Sequence, residues 1–273
     1  MNTKPIGVFD SGVGGLTAVR MLRNILPGED IVYFGDTGRV PYGSHSKKII
    51  TSYAKQDIAF LLSKKVKAVL AACGTVSSTL LPEQTATLPV PYTGVVGPTA
   101  KAAALATRTK KIGIIGTNAT IASGSYQKAL EQIMPEAKLY ATACPLFVPL
   151  VEEGYFLHGD ALATLAVQQY LAPLKKAEVD TLILGCTHYP LLQSIIQEEM
   201  GSGVTLVDSG KETALFIKGM LNEQGLLNGR ETGGTLRCYV SDDPLHFGKI
   251  AEMYLGNTRV DEIGYVDIER YQL

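Results

Sequence analysis

Apolar residues in this chain fall into two alternating patterns, and the alternation sets the fold class. The runs "IGVFD" (6–10), "DIVYFG" (30–35), "VKAVLAA" (66–72) and "PYTGVVG" (91–97) are short, continuous and rich in β-branched side chains. Runs of that kind predict strands, and their continuity predicts a parallel sheet covered on both faces. Longer stretches between them follow a helical period. In "SKKIITSYAKQDIAFLLSKK", Ile50, Ala54, Ile58 and Leu61 fall at steps of four, four and three, which places one apolar stripe on a helix.

The middle of the chain repeats this plan. "KIGIIGT" (111–117), "AKLYATA" (137–143), "DTLILG" (180–185) and "VTLVD" (204–208) read as strands. "SGSYQKALEQIM", "DALATLAVQQYLAPLKKA" and "PLLQSIIQEEM" read as helices. The repetition keeps its order: "IGVFDSG" at 6 is echoed by "IGIIGTN" at 112, Cys73 by Cys186, and "TGVVGPT" by "TLVDSGKET". The expectation is an α/β protein of two pseudosymmetric, doubly wound parallel-sheet domains facing each other. The tail from about 211, with "KETALFIKGMLNEQGLL" and "TLRCYVSDDPLHFGKIAEMYL", returns to complete the first unit. The predicted domains are therefore 1–97 plus 211–273, carrying Cys73, and 98–210, carrying Cys186.

Composition narrows the function classes. With 273 residues, 46% hydrophobic and 19% charged, the chain can bury a substantial core and does not read as disordered. A net charge of −1 lacks the basic footprint that nucleic acid or an anionic membrane demands. No apolar run reaches the roughly 18–20 residues of a membrane span, and the start has no signal-peptide pattern. A cytoplasmic protein is expected. Four cysteines, none in a CxxC, make neither a disulfide scaffold nor a zinc site with the four histidines, so no metal is expected.

Chemistry gathers at strand ends, where open parallel sheets bind ligands. In "FDSGVGGL" the carboxylate of Asp10 closes a strand ahead of a glycine-rich turn whose amides can reach an anion. Cys73 and Cys186 each end a strand and precede a helix, and on facing sheets they would line opposite walls of one cleft. A nucleophilic hydrolase built on Cys186 and His188 would leave Cys73 without a task. Two opposed thiols suit another reaction, in which a proton leaves one face of a carbon while another arrives on the opposite face. That is racemisation.

The segments "IGVFDSGVGGLT", "FGDTGRVPYGS", "CPLFVPLVEEG" and "LILGCTHYPLL" together resemble the glutamate racemases, cofactor-independent amino-acid racemases of bacteria. The resemblance implies an active site between two domains, no cofactor, and glutamate as a small-molecule substrate. It implies Cys73 and Cys186 as the acid/base pair, with Asp10, His188 and Glu152 assisting. Glu152 is taken in preference to its neighbour Glu153 because it fits the family's V-E-x-G frame. Asp10, Ser11, Tyr42, Gly43, Gly74, Thr75, Thr187 and His188 would contact substrate. Cys144 and Cys238 have no place in the paired pattern and are assigned to packing. The resemblance also allows a homodimer and implies a supply of D-glutamate for peptidoglycan, and hence for cell-wall biogenesis and cell shape.

One position departs from the family pattern. After the first cysteine the family has Cys-Asn-Thr, whereas this chain has Cys73-Gly74-Thr75. Losing a hydrogen bond to a charged group is worth about 1.5–3 kcal/mol, a roughly tenfold to hundredfold effect if felt in the transition state. Ser77 or a water could fill the gap. The rival readings are a racemase for another acidic amino acid such as aspartate, and a glutamate-binding relative impaired in turnover by Gly74.

Overall fold

The computed structural model describes residues 2–273. Ten strands form two sheets in which every pairing is parallel. The strands are β1 (Ile6–Asp10), β2 (Ile31–Gly35), β3 (Ala68–Ala71), β4 (Tyr92–Gly94), β5 (Lys111–Gly116), β6 (Lys138–Ala143), β7 (Thr181–Leu184), β8 (Thr205–Asp208), β9 (Leu236–Val240) and β10 (Glu262–Tyr265). The first sheet runs β10-β9-β2-β1-β3-β4 and the second β6-β5-β7-β8. Replacing β1, β2, β3 and β4 by β5, β6, β7 and β8 turns the core of one order into the other, so the duplicated plan is present in the topology. The tail supplies β9 and β10, which extend the first sheet beyond β2.

Helices cover both faces of each sheet, which is why β1, β2, β3 and β7 are buried along their whole length. On one face of the first sheet lies the helix Lys47–Ser63, capped by Ser46 accepting from the Ile49 amide, with Ile50, Ala54, Ile58 and Leu61 turned inward. On the other lies Leu16–Ile25, whose Leu16, Val19 and Leu22 are buried. Each such side chain contributes about 1.5–3 kcal/mol, an upper figure because the unfolded chain is not fully extended. Their apolar cluster continues through Ser209–Glu223 into Leu182 and Leu184 of the second sheet and Tyr189 beyond its β7 strand. The two domains therefore share one core behind the cleft.

Three boundaries differ from expectation. The strand expected over 91–97 ends at Gly94, and a helix, Val96–Ala106, begins two residues later. The helix expected from 123 is two helices, Asn118–Ser123 and Ser125–Ile133, divided at Gly124, whose φ of +63° ends the first. The stretch from Pro190 opens with a 3₁₀ turn, Tyr189–Leu192, before the α-helix Gln193–Met200.

Candidate active site

The carboxyl ends of β1, β3, β5 and β7 converge on one cavity of about 550 Å³ between the sheets. Two larger surface hollows, about 710 and 700 Å³, contain neither a cysteine nor a histidine. Size therefore does not select the site; chemistry does.

The two cysteines are placed by equivalent backbone arrangements. Ala72 donates its amide to Phe9 O of β1 at 2.9 Å, and Cys73 follows directly. Gly185 donates to Ile115 O of β5 at 2.8 Å, and Cys186 follows directly. Each sulfur thus leaves the sheet just where the pairing with its central strand ends. Both thiols are free and buried, and both line the cavity.

Their surroundings differ. Cys73 Sγ lies 3.5 Å from Ser11 Oγ, close to Asp10. Burial, reinforced by the Asp10 charge, pushes the Cys73 thiol up to about 12, so it is a protonated donor at neutral pH. Asp10 is itself buried, which raises its carboxyl, with the His188 charge and the Gly12 amide opposing. Its Oδ2 accepts from Gly12 N at 3.0 Å, while Oδ1 has no partner among the described residues.

On the opposite wall Cys186 Sγ lies 3.8 Å from His188 Nδ1, and His188 Nε2 lies 3.0 Å from Glu152 Oε1. Burial alone would lower the imidazolium. The hydrogen bonds to Cys186 and Glu152, with the charges of the same groups, outweigh it and raise His188 to about 10. His188 is then a cation at neutral pH, placed to balance negative charge on the sulfur beside it. Its ring is held between the first domain's Tyr254, edge-on at 5.7 Å, and Gly14, where any Cβ would overlap the ring and the Thr187 hydroxyl. Thr17 Oγ1 donates to Thr187 O at 2.8 Å and ties the same turn to the first domain.

The other expected site residues are brought to the same cavity, with differences in what they offer. Ser11, Gly43, Gly74, Thr75 and Thr187 line it directly. Tyr42 also borders it, but its hydroxyl contacts Asp36 and lies 3.0 Å from Asp57, two buried carboxylates outside the cavity. Glu152 ends the helix Phe147–Glu152 and lines the cavity, whereas Glu153, exposed like it, does not. Ser77 is not available in place of an amide at position 74. Its hydroxyl donates to Ala71 O and accepts from Val95 N behind the cavity wall. Cys144 and Cys238 lie outside the cavity, buried in the shared core.

Thr117, Asn118 and Thr120 line the second domain's wall and were not among the expected residues. The signal was in the echo of "IGVFDSG" by "IGIIGTN", which puts Thr117 and Asn118 opposite Ser11 and Gly12. Among the described residues, no Lys or Arg lines the cavity. Carboxylates of a ligand would be held by hydroxyls and backbone amides, and an ammonium by Asp10 or Glu152. Among the described residues, no three His, Cys, Asp or Glu side chains are arranged to hold a metal ion. No helix there is long and apolar enough to cross a membrane.

The comparisons with known proteins agree with this geometry. Residues 19–216 match the family model for Asp/Glu/hydantoin racemases. The chain is 43% identical to the glutamate racemase of Geobacter metallireducens over 98% of both chains. A glutamate racemase isoform of Bacillus anthracis superposes with a TM-score of 0.92 at 39% identity, covering 98% of each chain. The Francisella tularensis glutamate racemase, solved in complex with D-glutamate, gives 0.89 at 35% identity over 99% of this chain and 100% of that one. With two thiols at equivalent strand ends on opposite walls of one cleft, and relatives of this closeness over nearly its whole length, the chain belongs to the Asp/Glu/hydantoin racemase family.

Proposed function

We propose that this chain interconverts L- and D-glutamate without a cofactor, using Cys73 and Cys186 as the proton-transfer pair. The observation that carries the reading is the placement of the two buried thiols on opposite walls of one 550 Å³ cavity. One thiolate removes the Cα proton, forming S–H as C–H breaks, and the electron pair moves into the α-carboxylate. The opposite thiol then gives its proton to the other face and is left as thiolate, so forward and reverse turnovers exchange the two roles. Hydroxyls and amides around Ser11, Thr75 and Thr187 hold the carboxylates as charge builds. Asp10 or Glu152 balances the ammonium, and that ammonium offsets the Asp10 charge that disfavours a Cys73 thiolate.

The unlike flanks support a division of labour. His188 and Glu152 equip the Cys186 side to carry negative charge, while Cys73 rests as a donor. The division into 1–97 with 211–273 and 98–210 belongs to the same reading, each unit contributing one thiol. So does a cytoplasmic role in supplying D-glutamate for peptidoglycan.

Proton NMR in heavy water with each enantiomer of glutamate, together with chiral analysis of the same samples, tests the proposal. Loss of the Cα signal with appearance of the other enantiomer is the expected result. Folded, reduced protein that neither exchanges nor inverts glutamate would sink it; exchange with aspartate but not glutamate would move the reading to the neighbouring substrate.

A further inference from the structure

Gly74 follows Cys73, and Gly185 precedes Cys186, and these two glycines meet across the cleft. A Cβ on Gly74 would lie 2.6 Å from Gly185 O and 3.5 Å from Thr120 Oγ1. The obstacle is a backbone carbonyl rather than the end of a flexible side chain. Gly185 is itself pinned: its amide donates to Ile115 O at 2.8 Å, and a Cβ there would meet that same oxygen at 2.6 Å. Yielding on the second domain's side means moving backbone that is paired with β5.

The first domain does not demand glycine at this position. Gly74 opens the helical turn Gly74–Ser77 and is not among the residues of positive φ. The crowding at this position comes from the facing domain, through close approach of backbone to backbone. A side chain would be admitted only if the two cysteine-bearing turns separated, by roughly 0.8 Å for the Cβ to reach ordinary contact near 3.4 Å. Gly97 is the contrasting case, where a Cβ would meet nothing within 4 Å.

We infer that Gly74 is a positioning residue whose Cβ-free contact with Gly185 sets the spacing of the Cys73 and Cys186 thiols across the substrate. The inference rests on the racemase reading. It reverses the simplest view of Gly74 as a missing amide that asparagine would restore. A two-thiol transfer needs both sulfurs within reach of Cα at once. Exchange needs only one: a thiolate takes the Cα proton, the new S–H trades hydrogen for deuterium with solvent, and deuterium returns to the same face. Separating the turns therefore slows inversion more than exchange.

The test compares wild type with Gly74→Ala, Gly74→Asn and Gly97→Ala in heavy water, following exchange and inversion separately for both enantiomers of glutamate. Gly97→Ala should match wild type. Both Gly74 variants should lose inversion about 10- to 100-fold, mostly in kcat rather than KM, with the ratio of exchange to inversion rising several-fold. Gly74→Asn inverting as fast as wild type or faster would overturn the inference in favour of the missing amide. Exchange and inversion falling together would also overturn it, as would variants that fail to fold, which would make the contact a requirement of folding. A wild type that neither exchanges nor inverts sinks the racemase reading and this inference with it. An active wild type whose Gly74 variants behave like Gly97→Ala sinks the inference alone.

Discussion

Glu152 Oε1 sits 3.0 Å from His188 Nε2, on the side of the ring away from the Cys186 sulfur. The carboxylate therefore acts on Cys186 only through the imidazole, by holding the ring's orientation and its proton. Because the Glu152 side chain is 48% exposed, solvent screens part of its charge and its influence stays moderate.

Replacing Glu152 by glutamine removes one of the causes that raise His188 to about 10. The imidazolium should then lose its proton at lower pH. The alkaline limb of the kcat/KM profile is expected to move down by about one pH unit, with a smaller change near neutrality. A pH–rate profile with an unmoved alkaline limb would show that Glu152 does not act through His188.

Serine at either cysteine position keeps the shape but replaces the thiol by a far weaker acid. Inversion should fall by about 10²–10⁴ in Cys73→Ser and in Cys186→Ser alike. Each variant should keep solvent exchange from the one enantiomer whose Cα hydrogen faces the surviving thiol. Isotope exchange measured for D- and L-glutamate separately checks this. A Cys73→Ser enzyme with undiminished turnover would favour a single-cysteine mechanism on Cys186 and His188.

The fold was legible to the extent that it is written in neighbouring residues. The continuous apolar runs ending at Asp10, Ala71, Gly116 and Leu184 could be read as parallel strands because burial on both faces leaves no alternation. The helical stripe through Ile50, Ala54, Ile58 and Leu61 was equally local. The helix Phe147–Glu152 was not read as one, since it is only six residues long and contains Pro149. Long-range pairings left no local trace either: Thr17 meets Thr187, and Ser241 donates to Asp36, across most of the sequence. The restriction at Gly74 was invisible for the same reason, because it comes from a carbonyl in the other domain rather than from its own turn.

Lys67 and Glu29 form a buried ion pair at 2.5 Å, at the end of the first sheet away from the cleft. Lys67 Nζ also donates to Asn2 O and Leu226 O, and Glu29 Oε1 accepts from Asn228 N, so the pair ties the chain start and the 226–228 segment to the sheet. Lys67→Met strands a carboxylate without its partner. The expected loss is about 3–5 kcal/mol, seen as a lowered midpoint in urea unfolding, with part recovered on adding Glu29→Leu. A loss below about 1 kcal/mol would mean that water reaches the site and the pair is not a buried one.

Asp57 offers a pH test of a different part of the wall. The hydroxyl of Tyr42 faces oxygens of both Asp36 and Asp57, yet it has one hydrogen to give. Arg39 donates to Asp36 at 2.6 Å and reaches Asp57 at 3.3 Å, which leaves two buried carboxylates against one guanidinium. A proton on Asp57 resolves both counts: Asp57 donates to the Tyr42 oxygen, and Tyr42 donates to Asp36. Consistent with this, burial raises the Asp57 carboxyl well above its usual range, the Asp36 charge adds to the rise, and Arg39 opposes it. The folded state thus keeps a proton that the unfolded chain releases above about 3.8. This contribution to stability is fully present below that pH and is lost as pH rises through the folded value, by about 1.4 kcal/mol per pH unit within the window. Asparagine at position 57 supplies a donor at every pH and abolishes the decline, so Asp57→Asn should gain on wild type as pH rises. Asp36→Asn should instead destabilise by roughly 3 kcal/mol, because it takes the close partner from Arg39. Urea unfolding of the three proteins from acid to mildly alkaline pH measures both effects. A difference between Asp57→Asn and wild type that stays flat across that range would show that Asp57 is already ionised in the folded protein.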